Sequence, residues 1–390
     1  MTLLVTCLTF GTFGLIMSVF GPAIPTFATQ FATSRDAVGS LFTTYFTGTI
    51  VGLLLIVPLS DRFGQRPGLL LGMLLFVGGI VGTLLSNQLW LGLAMMFLAG
   101  IGAGPIVGGL NLMGARLYPE RSAMVLNLTN LFFGIGSVVG PALAGQLISR
   151  VGTPLPIMWF GVGLMLLMLL AVSRIMEPQR PVVSGKSAAL DFGVLRVPAI
   201  WLFSALLLAY VGIEVGTGAW AASYLEQVAQ FDPAQAALVT AGFWLTFTVG
   251  RLFGTLVGGR MAAEQMLFLV IGGAGLSALA LVVLPGSYAL YAILGLGFFF
   301  GPTYPTTIAV STRMFPHATG LATSVMMTFG SVGGALLPWL MGVLLVQGGP
   351  QPMALLVVTG TSVMLGALLA ITLWRTSDMA KPRVPGDSKM

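Results

Sequence analysis

The sequence predicts an all-α membrane protein of twelve transmembrane helices, set in two six-helix bundles related by pseudo-symmetry. Three observations carry this. The chain repeats itself: "GPIVGGLNLMGARLYPERS" from Gly104 is answered by "GPTYPTTIAVSTRMFPHAT" from Gly301, an offset of 197 residues. At that offset Pro105 meets Pro302, Arg116 meets Arg313 and Pro119 meets Pro316, and the series runs on through Gly136 and Gly333, Pro141 and Pro338, Gly145 and Gly342. Composition comes next. Of 390 residues, 56% are hydrophobic and 7% charged, where a soluble chain carries roughly 25% charged residues. Finally, about six apolar stretches per half reach the ~20 residues that a bilayer crossing needs. Duplicated apolar chains of this length are the pattern of secondary transporters, whose halves rock about a shared site.

The spans follow in order. The first half reads roughly 3–29, 38–59, 68–86, 89–114, 122–147 and 157–175. The second reads roughly 199–223, 234–257, 265–284, 288–311, 319–345 and 353–374. Short connections make neighbours antiparallel. The first apolar run lacks a preceding basic region and is too long for a signal h-region, so it is expected to be a retained span. The division expected is an N-terminal bundle 1–176, a polar linker 177–197 with Pro178, Pro181, Ser184, Gly185 and Lys186, a C-terminal bundle 198–375, and a tail 376–390.

Charge sets the orientation. Of the 17 basic residues, Arg35 and Arg150 alone fall on outer loops, if both termini are cytoplasmic, and Arg251 falls within a span. The others lie at even-numbered turns, the linker or the tails, as the positive-inside rule requires. The net charge of +6 is thereby explained without a nucleic-acid partner. The single Cys7 excludes a disulfide within the chain and a cysteine metal cluster. One His, one Cys and no intramembrane carboxylate pair argue against a membrane-embedded enzyme.

Four segments carry candidate chemistry. The turn after the second span, "VPLSDRFGQRPGLL", holds Asp61, Arg62, Gly64 and Arg66. It resembles the G-x-x-x-D-R-x-G-R-R loop of the major facilitator superfamily, with Val57 and Gln65 as departures. The resemblance implies a twelve-helix major-facilitator fold. It also implies a gating latch at Asp61, Arg62 and Arg66 on the cytoplasmic side. Alternatively, these are ordinary loop charges. The second half keeps "GTLVGGR", with Gly254 and Arg260 but no Asp.

The fifth span, "NLFFGIGSVVGPALAG", holds Gly136, Gly140, Pro141 and Gly145. It resembles the family's G-x-x-x-G-P signature, which occurs in antiporters and symporters alike. Its other reading is a packing hinge built on small residues.

The seventh span holds the one carboxylate deep in the membrane, Glu214. An ionisable group there is costly and marks a functional site by default. Gly212, Glu214, Gly218 and Trp220 resemble a segment of the fucose:proton symporter and glucose/galactose branch of the superfamily. That branch also uses carboxylates in its first and fourth spans, which this chain lacks. Glu214 is read as the proton-coupling or substrate-binding group, the alternative being a structural pair with a nearby Arg or hydroxyl.

Arg251 is the base within the eighth span. Thr240, Trp244, Thr248, Arg251 and Thr255 fall on one stripe, which should face a cavity rather than lipid. Arg251 is read as a substrate contact or as an internally paired or snorkelling base. Asn127 and Asn130 share a face of the fifth span, Tyr304, Thr307 and Ser311 one of the tenth, and Tyr210, Glu214 and Thr217 one of the seventh. Such groups either bind substrate hydroxyls or join helices. Trp220 and Trp244 are aromatic platforms for an apolar sugar face. His317 is a loop residue.

The expectation is a monomeric transporter in a bacterial-type inner (plasma) membrane, working by alternating access on a small-molecule substrate. Sugar symport coupled to protons leads; proton-coupled multidrug efflux is the alternative. No cofactor or metal is expected, and sodium is the other coupling ion.

Overall fold

The computed structural model describes residues 2–63, 65–117, 122–174, 192–258, 260–315 and 318–379; side chains at 56–63, 65, 110–117, 122–127, 192, 319–320 and 377–379 lie outside the described set. Its described residues form twelve long helices: α1 Thr2–Gln30, α2 Arg35–Phe63, α3 Gln65–Leu85, α4 Leu89–Leu117, α5 Ser122–Val151, α6 Leu155–Ser173, α7 Pro198–Val228, α8 Pro233–Val257, α9 Ala263–Val283, α10 Ala289–Met314, α11 Thr319–Gly348 and α12 Pro350–Met379. Each contains a stretch long and apolar enough to cross a bilayer. Between α6 and α7 a short 3-10 helix, Phe192–Arg196, leads into Pro198.

Local signals place the ends. Proline opens α7, α8 and α12, where its missing N–H costs no helical bond. Asp232 caps α8, accepting from the backbone N–H of Ala234 and Gln235, while Gln235 reaches back to the Asp232 N–H in a capping box. Gly152 after α5 and Gly349 after α11 take the left-handed conformation, at φ 75° and 84°. These two glycines stand at the same 197-residue offset as the sequence repeat. Among the described residues, Ala32 and Gln230 are the non-glycine residues with positive φ, at 48° and 54°. They sit in the α1–α2 and α7–α8 turns, 198 residues apart, so the second turn carries one extra residue.

Packing repeats with helix number. In the first half α1 packs on α5 and α6, α4 on α2 and α3, and α3 on α6; in the second, α7 packs on α11 and α12, α10 on α8 and α9, and α9 on α12. Close approach depends on small residues at matching places. Gly136 of α5 lies against the Gly11 carbonyl of α1, and Gly333 of α11 against the Leu208 carbonyl of α7, so a Cβ at either would meet backbone. Pro141 and Pro338 accordingly fall on equivalent helices. The halves meet along α1–α7, α2–α11 and α5–α8.

Lipid solvates the outside. Leu166, Leu167 and Leu170 of α6, Leu276 and Leu279 of α9, and Leu369 and Leu373 of α12 are exposed, which suits hydrocarbon rather than water. Trp90, Tyr288 and Tyr291 are exposed where α4 and α10 begin, as interfacial aromatics are in membrane proteins. That end is called distal below; the end where α1 starts and α12 finishes is called terminal.

Candidate transport cavity

A cavity of about 440 Å³ lies between the halves, within the ~300–1,000 Å³ of small-molecule sites. The first half supplies Phe13 and Met17 of α1, Phe42, Tyr45, Phe46, Thr49 and Leu53 of α2, Val107 of α4, and Phe133 and Ser137 of α5. The second supplies Val211, Val215 and Gly218 of α7, Trp244 of α8, Tyr304 of α10, and Met327, Gly330 and Ser331 of α11.

Its distal end is sealed. Gly21 of α1 lies against the Gly218 and Ala219 carbonyls of α7. The Thr43 hydroxyl donates to the Ala335 carbonyl at 2.6 Å, joining α2 to α11. Further out, Gln347 donates to Asp36 at 2.9 Å, and Arg35 pairs with Glu226 at 2.6 Å. Trp220 belongs to this seal. Its side chain is fully buried, its indole N–H donates to the Pro338 carbonyl at 2.7 Å, and Gly39 and Gly342 pack on its ring. The expected substrate platform at Trp220 is therefore corrected: with its one donor spent on α11 and no free face, it cannot stack on a ligand in this conformation.

Trp244 does stand on the wall. It packs edge-on against Phe133 across the halves, centroids 6.1 Å apart, and its indole N–H is buried without a partner among the described residues.

Beside the wall lies a polar cluster from α7, α8, α10 and α5. The Tyr210 hydroxyl donates to the Phe300 carbonyl at 3.1 Å and is a hydrogen-bonding neighbour of the Glu214 carboxylate. The Tyr304 ring leans on Tyr210 at 6.2 Å. Arg251 donates from Nη1 to Asn130 Oδ1 at 3.2 Å, bridging the halves, and its guanidinium carbon lies 4.6 Å from the Phe247 ring centroid. Glu214 and Arg251 influence each other electrostatically. The ion pairs among the described residues, however, are Arg35–Glu226 and Arg375–Glu264, so these two remain unpaired. Both are half-buried.

The repeat locates this cluster. At offset 197, Tyr210, Glu214 and Tyr304 correspond to Phe13, Met17 and Val107, and Asn130 corresponds to Met327. For α2 and α8 the extra turn residue makes the offset 198: Phe46 corresponds to Trp244 and Leu53 to Arg251. All six of these counterparts line the cavity. The cluster thus occupies positions that face the central axis, although Glu214, Tyr210 and Arg251 stand just behind the wall.

Other expected polar groups do different work. Thr248 and Thr255 return their hydroxyls to the carbonyls of Trp244 and Arg251, and Thr307 and Ser311 to those of Thr303 and Ile308. Thr217 and Thr240 are buried, their hydroxyls without a partner among the described residues. The Asp61, Arg62 and Asn127 side chains, and His317, lie outside the described residues; Arg66 is half-buried. Sequence reasoning missed the first-half wall of Phe13, Met17, Phe42 and Phe46 because apolar residues are everywhere in these helices. The repeat offset applied to the polar residues would have found Phe13 and Met17.

Twelve spans, a twofold packing pattern and a central cavity define an integral membrane protein built as transporters are. The family model "Major Facilitator Superfamily" matches residues 6–338, and the chain belongs to that superfamily. Curated relatives include Bypass of stop codon protein 6 of Saccharomyces cerevisiae, 25% identical over 89% of this chain and 77% of its own. Protein TsgA of Escherichia coli is 24% identical, over 89% and 88%. Among solved structures, the E. coli fucose:proton symporter FucP aligns at TM-score 0.67 and 18% identity, covering 95% of this chain and 98% of its own. A D-xylose-proton symporter aligns at TM-score 0.77 and 16% identity, covering 94% of this chain and 96% of its own. These structures show the fold.

Proposed function

We propose that this protein is a proton-coupled symporter of a small polyhydroxylated solute, a sugar or close derivative, working by alternating access. One observation carries the reading. An acid, a base and two phenols cluster at mid-membrane beside the cavity, at positions whose repeat counterparts line it. Ionisable groups at that depth are costly and are retained for function. Glu214 is the coupling residue, exchanging its proton as the cavity opens to either side. Protonated, it donates a hydrogen bond, with the Tyr210 oxygen beside it as an acceptor; ionised, it only accepts. Tyr304 and Asn130 contact substrate, Asn130 through its link to Arg251, and Trp244 covers an apolar sugar face.

In this reading the bundles 1–176 and 198–375 are the rocking bodies, joined by the linker 177–197. Both termini lie in the cytoplasm of a cell with this protein in its plasma membrane, so the distal seal is the closed outer gate. Asp61, Arg62 and Arg66 form the opposing cytoplasmic latch. The working unit is the monomer. The structurally similar fucose:proton and D-xylose-proton symporters support this class.

The apolar first-half wall favours a second reading, efflux of lipophilic compounds. Uptake into proteoliposomes, with and without an imposed proton gradient, separates the two. Symport predicts sugar-class accumulation with an inside-alkaline gradient; drug antiport predicts that sugars are ignored and that cationic dyes are driven toward the acidic side. Driving by sodium in place of protons would reassign the coupling ion.

A further inference from the structure

We propose, resting on the symport reading above, that the substrate carries a carboxylate, and that Arg251 is its binding site. A sugar acid fits, and a neutral sugar does not. The charge balance of the cavity leads there. Arg251 sits within a span, and its partner is a single neutral amide, Asn130 Oδ1, at 3.2 Å. Its Nε is buried and without a partner among the described residues. No carboxylate among the described residues forms an ion pair with it, although Glu214 lies close enough to act on it electrostatically. Glu214 instead stands beside Tyr210. The arginine therefore carries a charge that no ion pair among the described residues neutralises, and an unpartnered Nε–H, in a low-dielectric setting where an opposite charge is worth most. Its planar fork offers two parallel N–H groups to a carboxylate.

Position agrees with charge. Arg251 is seven residues beyond Trp244, two helical turns and roughly 10 Å toward the terminal end on the same helix face. Its repeat counterpart Leu53 is on the cavity wall, and Arg251 keeps part of its surface accessible. Phe247 backs the guanidinium from the other side at 4.6 Å, which holds the fork in place. A solute lying along α8 would rest its ring on Trp244 and reach Arg251 with its acidic end. The first half offers Phe13, Met17 and Leu53 at the corresponding places, so the polarity fixes one orientation of the solute.

The charge count has a measurable consequence. One proton on Glu214 moving with one monoanion transfers no net charge, whereas one proton with a neutral sugar transfers one. The test is uptake into proteoliposomes of the full chain, using D-gluconate and D-glucuronate against D-glucose and L-fucose, under a pH gradient alone or a valinomycin potential alone. The acids should accumulate under the pH gradient, respond little to the potential, and resist competition by either neutral sugar. Arg251→Gln should weaken acid binding by roughly tenfold or more, the usual loss for a charged hydrogen bond, and Arg251→Lys should recover part of it. If the neutral sugars accumulate as well as the acids, or the potential drives uptake, the carboxylate assignment is overturned while symport stands. If neither set accumulates, the symport reading fails and takes this one with it. Competition in the unmutated protein decides the matter even where the Arg251 variants do not fold.

Discussion

The two halves share a skeleton and differ in chemistry. Their helices pack in the same order, approach through glycine at matching places, and turn at Gly152 and Gly349 with the same left-handed backbone. Yet Tyr210, Glu214, Arg251 and Tyr304 face Phe13, Met17, Leu53 and Val107 across the pseudo-twofold axis. A duplicated fold has kept what packing requires and divided what binding requires. The second half holds Glu214, Arg251, Tyr210 and Tyr304; the first presents a mainly apolar face, with Tyr45, Thr49 and Ser137 as its hydroxyl groups. This division suits a rocking mechanism: a substrate anchored to one half can stay bound while the other moves across it.

The largest effects should therefore fall equally on both halves, where the skeleton is touched. Gly136→Leu and Gly333→Leu each drive a side chain into a backbone carbonyl of the neighbouring helix. Each should abolish monodisperse protein on size exclusion in detergent. A well-folded Gly333→Leu beside an unfolded Gly136→Leu would show that the halves are not equivalent in packing.

Unequal effects should appear at the cavity. Trp244 and Phe46 occupy matching places on its wall, but Trp244 adds an unspent N–H. Loss of ring contact and donor together, about 0.5–1.5 kcal/mol each, predicts roughly tenfold weaker substrate binding for Trp244→Ala. Phe46→Ala should cost less, about fivefold at the middle of that range, because it loses ring contact alone. Isothermal titration with a transported solute measures both, and a reversed ranking would place the anchor in the first half.

Much of this was legible in the residues, and the reason is physical. Bilayer thickness imposes span lengths, so all twelve helices contain the apolar stretches read from the sequence. Glycine at helix crossings has no substitute, so Gly136 and Gly333 preserve the repeat after other positions have drifted. Polar residues in a membrane are rare enough for each to be noticed, which is why Glu214 and Arg251 stand out as candidates in the sequence. Helix rotation is less visible. Trp220 and Trp244 both read as cavity platforms, yet one is a plug between α7 and α11 and the other a wall. In an almost wholly apolar helix nothing in the pattern marks which face turns inward. The extra residue in the α7–α8 turn likewise hides in a polar stretch, and it shifts every α2–α8 correspondence by one.

Smaller effects should separate the plug from the wall. Trp220→Phe removes the donor to the Pro338 carbonyl and should cost about 1 kcal/mol of stability in thermal unfolding, with substrate affinity unchanged. A drop in affinity without a loss of stability would return Trp220 to the binding site. The smallest effect belongs to Arg35→Ala. Its ion pair with Glu226 is partly exposed, and such pairs contribute about 0.2–1 kcal/mol. Alkylation of a Ser137→Cys reporter from the distal side should quicken by no more than about fivefold. A far larger increase would make this pair the main lock of the seal.

Whether coupling resides in the second half, at Glu214, is decided by comparing two modes of transport in Glu214→Gln proteoliposomes. Glutamine keeps the shape and donates a hydrogen bond, as the protonated acid does, but cannot release a proton. Counterflow exchange, which needs no net proton movement, should continue at a rate comparable with the unmutated protein, while accumulation driven by a proton gradient should vanish. Accumulation at the unmutated rate would contradict coupling at Glu214, leaving it a structural partner of Tyr210 and placing the coupling group elsewhere in the chain.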